Sequence, residues 1–320
     1  MKTLIAIPAL NEELTIKKLI SSIPPEIHNS KVSVLVIDDG STDSTVKEAE
    51  EAGATIISHG RNMGLGAVFR TMLSYARENG FQIMATLDAD GQFNPQDLPT
   101  LIKPIINNTA DFVTASRFKD PEFIPKMPAI KIWGNARVAK LVSSLAKIKV
   151  YDATCGYRVY GPKALERVSC FSRFTYTQEV LIDLARKGLR LKEIPTKIRG
   201  EREFGQSRIA SNLWRYALLS AEAMYSVAHG HSPWKFYGGP AFSLLAIGFI
   251  LDTFTLSWWL ATGRISPFTA YGIGGLFSIT FGILLLLFAS IADISASNRK
   301  MLEEVTAMET RRIRNQLTDK

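Results

Sequence analysis

The chain reads as an α/β domain with a mostly parallel sheet, followed by a two-helix transmembrane hairpin. Three observations carry that reading. Over residues 1–120, short apolar runs of strand length alternate with polar stretches of helical character, an order that builds a parallel sheet with helices on both faces. Polar clusters close three of those runs. Towards the C-terminal end, two apolar stretches, 236–260 and 271–289, each approach the ~20 residues needed to cross hydrocarbon.

The first run, Leu4-Ile5-Ala6-Ile7, ends at Pro8, and a helix is expected from Glu13. Asn11-Glu12-Glu13 breaks the apolar stretch before any cleavage-like site, so it reads as a strand and not a signal peptide. Val32 to Ile37 closes on Asp38-Asp39-Gly40-Ser41, and Asp43, Ser44 and Thr45 are N-cap types for the helix behind it. Thr55-Ile56-Ile57 ends near Ser58. Asn62-Met63-Gly64-Leu65-Gly66 then opens a helix, its glycines serving either close backbone packing or a turn that faces a nucleotide. Phe81 to Leu87 has the character of a buried strand and closes on Asp88-Ala89-Asp90-Gly91-Gln92. Asn94-Pro95 starts the next helix, Asn as cap and Pro at the first position. Asp111 to Ser116 is the last strand of the series.

The Asp88 loop is the most informative segment. Alternation along an extended chain points Asp88, Asp90 and Gln92 to one side. Two carboxylates and an amide oxygen make a hard-oxygen set for Mg²⁺ or Mn²⁺, ions that keep waters and bind substrate phosphates. A solvated Asp-rich turn is the plainer alternative. Strand-end loops of a parallel sheet converge on one edge, so the clusters at Pro8 to Glu12, Asp38 to Asp43 and Asp88 to Gln92 are expected in one crevice. A nucleotide suits it, with a carboxylate for base or ribose donors and a metal for the diphosphate. Neither a G-x-G-x-x-G followed by an acid nor a P-loop occurs.

The 320 residues allow one large domain with an appendage, or two medium domains. Mean hydropathy is slightly positive at +0.06 although 21% of residues are charged, so apolar content must be concentrated somewhere. It lies in the two long stretches, where Asp252 is the one charged residue. Lys235 precedes the first, and Arg299, Lys300, Arg311, Arg312 and Arg314 follow the second, whereas the connector 261–267 carries only Arg264. By the positive-inside rule both termini face the cytoplasm. Cys155 and Cys170 are too few for a disulfide framework or a zinc site. The net charge of +8 suits nucleic acid or an anionic membrane, and no zinc-finger or aromatic RNA-binding pattern supports the former. Ile130, Trp133, Val138, Leu141, Val142 and Leu145, interleaved with Lys126, Lys131, Arg137, Lys140 and Lys147, suit either an interfacial helix or an ordinary amphipathic one.

Seven segments, in order, resemble the family 2 glycosyltransferases of GT-A fold, and among them the dolichol-phosphate mannose synthases and polyprenyl-phosphate glucosyltransferases. They are Ile7-Pro8-Ala9-Leu10-Asn11-Glu12, Val36 through Asp43, Asn62-Met63-Gly64, Asp88-Ala89-Asp90-Gly91-Gln92, Ser116-Arg117-Phe118, Asp152 through Arg158, and Gly205-Gln206-Ser207-Arg208. The resemblance covers Leu4 to about Ser211. It implies a GT-A domain over 1–208, and hydropathy and charge divide the rest into amphipathic juxtamembrane helices over 209–235, two transmembrane helices over 236–290 and a basic cytoplasmic tail over 291–320.

The same resemblance implies roles. Pro8, Leu10, Glu12, Ile37 and Asp39 would hold the nucleoside of the donor. Asp88, Ala89, Asp90 and Gln92 would hold its diphosphate and the metal. Arg117, Arg202, Ser207 and Arg208 would face the acceptor phosphate, with Asp88, Asp90 and Arg117 as the catalytic set. Leu10 stands where mannose synthases commonly carry an aromatic, which tilts the donor slightly from GDP-mannose towards UDP-glucose. Arg208 stands where Lys is common, replacing a point charge with a planar fork. The implied reaction is inverting transfer of a hexose to a polyprenyl or dolichyl phosphate in the bilayer. Such an acceptor is already ionised and needs cations more than a general base.

Rival classes are a processive polysaccharide synthase, disfavoured because no Gln-x-x-Arg-Trp motif occurs, and a membrane adaptor, disfavoured by the intact Asp88, Asp90 and Gln92. Several residues stand outside the main reading. His229 and His231 read as an interfacial pair and Cys155 as packing. Asp252 is either functional or shallow enough for water to reach. Gly274, Ser278 and Gly282 form a small-residue face for contact within the hairpin or between copies of the chain.

Overall fold

A computed structural model describes residues 1–169, 176–200 and 234–318. The described residues divide into two compact units, one carrying a sheet and the other carrying the two apolar helices.

The sheet is ordered β2-β3-β1-β5-β7-β6-β8, with β4 paired to β3. Its strands are β1 (Thr3–Ala9), β2 (Glu26–Ile27), β3 (Ser30–Asp38), β4 (Thr55–Ser58), β5 (Ile83–Thr86), β6 (Phe112–Ser116), β7 (Arg158–Tyr160) and β8 (Leu191–Pro195). The expected strands all form. The half made of β4, β3, β1 and β5 is parallel throughout, Ile5 lying against Val34 on one side and Ala85 on the other. The other half departs from a simple α/β alternation. β7 runs antiparallel between β5 and β6, with Arg158 opposite both Thr86 and Thr114. Three residues are too few for periodicity to reveal, so this strand was not legible in sequence.

Helices α1 (Ile16–Ser21), α2 (Thr45–Glu51), α3 (Leu65–Glu78), α4 (Leu98–Ile106), α5 (Ala129–Ala146), α6 (Pro162–Arg167) and α7 (Thr177–Arg186) fill the connections. Alternate strand residues serve the two faces of the sheet. Ile5, Ile7, Val36, Ile83, Ala85 and Val113 join one cluster with Leu19 and Ile20 of α1 and Leu98, Leu101 and Ile102 of α4. Phe69 of α3 stacks on Tyr176 at 4.1 Å between centroids and meets Tyr160 of β7 at 5.6 Å. Full burial of each Ile, Leu or Phe is worth about 1.5–3 kcal/mol, so these layers hold the strand ends in register.

Local signals resolve as expected at some caps and not at others. Asn94 accepts from the Gln96 N–H and Pro95 takes the first position, but the turn is a short 3₁₀ segment before α4. Ser44 is the N-cap of α2 without a side-chain cap bond. Asp43 accepts instead from both the N–H and the hydroxyl of Thr45. α5 buries Asn135, Ala139, Val142 and Ala146 and leaves Ile130, Trp133 and Leu141 outward, Trp133 being 57% exposed. Arg137 lies over the Trp133 ring at 5.1 Å, so the exposed face mixes apolar and basic groups as the spacing predicts.

The second unit contains helix Gly239–Thr262 and, up to Leu302, helix Thr269–Thr318; the spans Phe236–Thr262 and Thr269–Asn298 are long and apolar enough to cross a membrane. The last helix continues past the apolar span to Thr318. The two helices meet through glycines. A Cβ on Gly248 would stand 2.7 Å from the Gly275 carbonyl, and one on Gly282 2.7 Å from Leu245. Gly282 of the expected face makes the contact, whereas Gly274 meets nothing within 4 Å and Gly275 approaches the other helix in its place. The Asp252 carboxylate lies against Gly275 at this crossing.

Candidate active site

The site is assembled where β3, β1 and β5, three neighbours in the sheet, reach their C-terminal ends. The ends of β1 and β3 are stitched together reciprocally. The Asn11 N–H donates to Ser41 Oγ at 2.9 Å, and the Thr42 N–H donates back to Asn11 Oδ1 at 2.8 Å. The Glu12 N–H donates to Thr45 Oγ1 at 2.7 Å, and the Ser44 N–H to Glu13 Oε2 at 2.9 Å. Asn11 adopts φ 51°, a left-handed conformation that Asn tolerates and that turns the chain towards β3. Pro8, Leu10 and Glu12 are thereby held beside Ile37 and Asp39 at one edge, half-buried except for the two buried β3-end residues.

Asp38 and Asp39 divide the work. Asp38 accepts from the Ser41 N–H at 2.9 Å and the Ser58 hydroxyl at 2.6 Å. Burial opposes its ionisation, but these hydrogen bonds outweigh it and hold its carboxyl below the usual range. Asp39 reaches forward to the loop before α3, accepting from the backbone N–H groups of Met63 and Gly64, both at 2.9 Å. A Cβ on Gly40 would stand 2.6 Å from the Arg61 carbonyl carbon, so the close backbone approach to this loop is made by Gly40.

The dicarboxylate loop follows on the other side of β1. β5 ends at Thr86, and the Leu87 N–H donates to the Ala6 carbonyl, fixing the exit of the strand. Beyond it the chain turns, with Gly91 at φ 73°. Asp88, Asp90 and Gln92 therefore do not alternate along an extended strand. They lie along a turn, in which Asp90 Oδ1 accepts from the Gln92 N–H at 3.1 Å. Ala89 and Asp90 are buried while Asp88 and Gln92 are half-exposed.

Asp88 is seated on Gly156. A Cβ there would stand 2.8 Å from Asp88 Oδ2, and the Thr86 hydroxyl fixes the Gly156 carbonyl at 2.7 Å. The cradle belongs to the Asp152 to Arg158 segment, and its use for Asp88 could not be read from spacing. Arg158 itself is fully buried, its Nε donating to the Cys155 carbonyl at 2.8 Å and its guanidinium lying between the Phe112 and Tyr176 rings. Burial pushes the Cys155 thiol up to about 12, with Asp152 adding to the effect, so the residue is packing and not a nucleophile.

Arg117 follows β6, and its guanidinium grips Asp152: Nε donates to Oδ2 at 2.7 Å and Nη2 to Oδ1 at 2.8 Å. Nη2 also donates to Thr154 Oγ1 at 2.7 Å. Asp152 is fully buried and Arg117 19% exposed. Burial opposes ionisation of Asp152, yet the Arg117 charge prevails and keeps its carboxyl low. Removing one partner of such a pair costs about 3–5 kcal/mol. Arg117 thus anchors the Asp152 segment, a commitment the sequence did not reveal. Arg202, Ser207 and Arg208 lie outside the described residues, as do His229, His231 and Cys170. A cleft of about 510 Å³ adjoins the Asp88 loop, lined by Gly91 and Gln92 and by three cations, Lys18, Lys197 and Arg199. Surface lysines and arginines carry no periodic signal, so these were missed.

Residues 4–169 match the family model described as glycosyl transferase family 2, which covers more than half of the chain. The chain belongs to this family. It is 33% identical over 211 residues to a UDP-N-acetylglucosamine–dolichyl-phosphate N-acetylglucosaminyltransferase of Methanococcus voltae, spanning 60% of this chain and 83% of that one. It is 25% identical over 244 residues to a polyprenol monophosphomannose synthase of Mycolicibacterium smegmatis, spanning 71% and 86%. In fold, this family 2 glycosyltransferase is similar to the glucosyl-3-phosphoglycerate synthase of Mycobacterium tuberculosis. The TM-score is 0.55 at 21% identity, over 71% of this chain and 78% of that one. The GT-A architecture expected from the motifs is therefore the one present.

The glycosyltransferase's loop suits a divalent cation. Two carboxylates and an amide oxygen are hard donors. Asp88 is seated where any side chain on Gly156 would collide with it, and Asp90 is held by its own turn. Ions of this kind keep waters and bind substrate phosphates beside such protein oxygens.

Proposed function

We propose that this glycosyltransferase moves a sugar from a nucleoside diphosphate sugar to a membrane polyprenyl or dolichyl phosphate, with inversion at the anomeric carbon. The observation that carries the reading is the common edge. The Asp88 loop leaves β5 beside β1, whose end is hydrogen-bonded to the end of β3, so the nucleoside cluster and the dicarboxylate loop lie along the same edge of the sheet. The acceptor class draws support from relatives named as dolichyl-phosphate and polyprenol transferases. Two apolar helices in the same chain would bring the site to such an acceptor.

In this reading Pro8, Leu10, Glu12, Ile37 and Asp39 bind the nucleoside, and Ala89 with Asp88, Asp90 and Gln92 receives the diphosphate. Mg²⁺ or Mn²⁺ would be held by Asp88, Asp90 and Gln92, where it would offset the charge that develops on the leaving diphosphate. The similar synthase was solved with Mn²⁺ and UDP, which supports that choice. The acceptor phosphate is the nucleophile, and Arg117, Arg202, Ser207 and Arg208 are proposed to orient it. Because the phosphate is already ionised, no carboxylate is assigned as a general base. The domain limits 1–208, 209–235, 236–290 and 291–320 and a cytoplasmic site complete the proposal, with copies of the chain associating through the small-residue helix face as an option of the same architecture.

Asp90→Ala tests the loop. Its carboxylate sits in a turn and contributes little to the core, so the protein should fold normally and lose turnover, as the wild type should in excess chelator. Undiminished transfer in either case would overturn the assignment.

A further inference from the structure

His59 follows β4 and touches Asp39, one of the residues proposed to hold the nucleoside, although no motif marks it. Its Nδ1 lies 3.0 Å from Asp39 Oδ1 and its Nε2 2.9 Å from the Thr71 hydroxyl on α3. The ring is 10% exposed and the Asp39 carboxylate 8%. Asp39 can only accept, so the proton on this side of the imidazole is on Nδ1. Thr71 completes the arrangement from the other side. The backbone N–H of His59 donates to the Asp38 carbonyl at 2.9 Å, which fixes the residue at the strand end.

The consequence lies in the acceptor capacity of Asp39. A carboxylate offers about four lone-pair sites, two on each oxygen. Oδ1 takes His59 Nδ1–H and the Met63 N–H, which fills it. Oδ2 takes the Gly64 N–H. Among the described residues one site remains, and it is on Oδ2. A guanine edge offers two adjacent donors, N1–H and the N2 amine, which pair with a carboxylate through one site on each oxygen. A uracil imide offers a single donor, N3–H, and needs one. Resting on the donor reading above, we propose that His59 is a specificity-determining residue: by filling Oδ1 it leaves Asp39 a single acceptor, which selects a uridine nucleotide over a guanosine one.

Three forms of the full chain in detergent, titrated calorimetrically with UDP and with GDP in Mn²⁺, test this. Wild type should bind UDP at least about 10-fold more tightly than GDP, the ratio expected of one charge-assisted hydrogen bond. His59→Phe keeps the ring and removes the donor, so it should bring the two nucleotides to within about 3-fold, chiefly by improving GDP. His59→Asn retains an N–H near the Nδ1 position and should keep the wild-type ratio. Equal affinity of the wild type for UDP and GDP would overturn the proposal whatever the variants do. So would a wild-type ratio in His59→Phe, or a relaxed ratio in His59→Asn. Binding of neither nucleotide by the folded wild type would instead overturn the donor reading on which the proposal stands.

Discussion

At the scale of single residues, the site depends on what is missing as much as on what is present. Asp88 owes its position to the absence of a side chain at Gly156, and Asp39 is shaped by His59, which follows the next strand in the chain. Gly156 has an ordinary backbone conformation, so Gly156→Ala introduces a collision with Asp88 Oδ2 and little else. Displacing a substrate-binding group by about 1 Å costs on the order of 100-fold in rate. The variant should therefore keep its circular dichroism spectrum and lose about that much kcat, and wild-type turnover would remove Gly156 from the account. The carboxylates themselves were legible, because an Asp-x-Asp that closes an apolar run is a pattern in one dimension. Gly156 and His59 act through contacts made in three dimensions across 68 and 20 positions, and spacing cannot show that.

At the scale of elements, strands β1, β3, β4, β5 and β6 were legible, since each is an apolar run bounded by turn residues. β7 was not, and its insertion makes the far half of the sheet mixed. That half is secured at its other end by Asp111, at the start of β6, which pairs with Arg190 before β8 at 2.9 Å through both oxygens. The Arg190 hydrogen bond holds the Asp111 carboxyl down to about 2, against about 3.9 in an unfolded chain. A depressed carboxyl stabilises the fold above its unfolded value and loses that contribution as pH falls through its folded value. The window here is roughly pH 4 to pH 2. Arg190 is 46% exposed, so solvent screening reduces the contribution to about 1 kcal/mol. Asp111→Asn should lower stability by about that amount at pH 7 in urea titrations and match the wild type near pH 2. A difference that persisted unchanged at pH 2 would contradict the assignment to this pair.

At the scale of the whole molecule, the division into a sheet-bearing unit and an apolar helical unit was legible from hydropathy alone. The helix contact was legible at Gly282 and not at Gly274, whose neighbour Gly275 makes the approach instead, because a face of small residues can be read from sequence but the exact crossing cannot. Charge flanking the spans predicts that both termini face the cytoplasm and that only residues 261–267 reach the far side. Single cysteines placed in the tail and in the connector of sealed vesicles should label from opposite sides, and tail labelling from the outside would contradict the orientation.

The central claim is that the nucleophile is a lipid phosphate and not a hydroxyl. It is tested most directly by offering the purified protein a nucleotide sugar and Mn²⁺ with polyprenyl phosphate, and in parallel with free polyprenol of the same length. The phosphate should be converted to a polyprenyl-phosphate sugar of inverted anomeric configuration while the alcohol remains unreacted. Glycosylation of the free alcohol at a comparable rate would contradict the account.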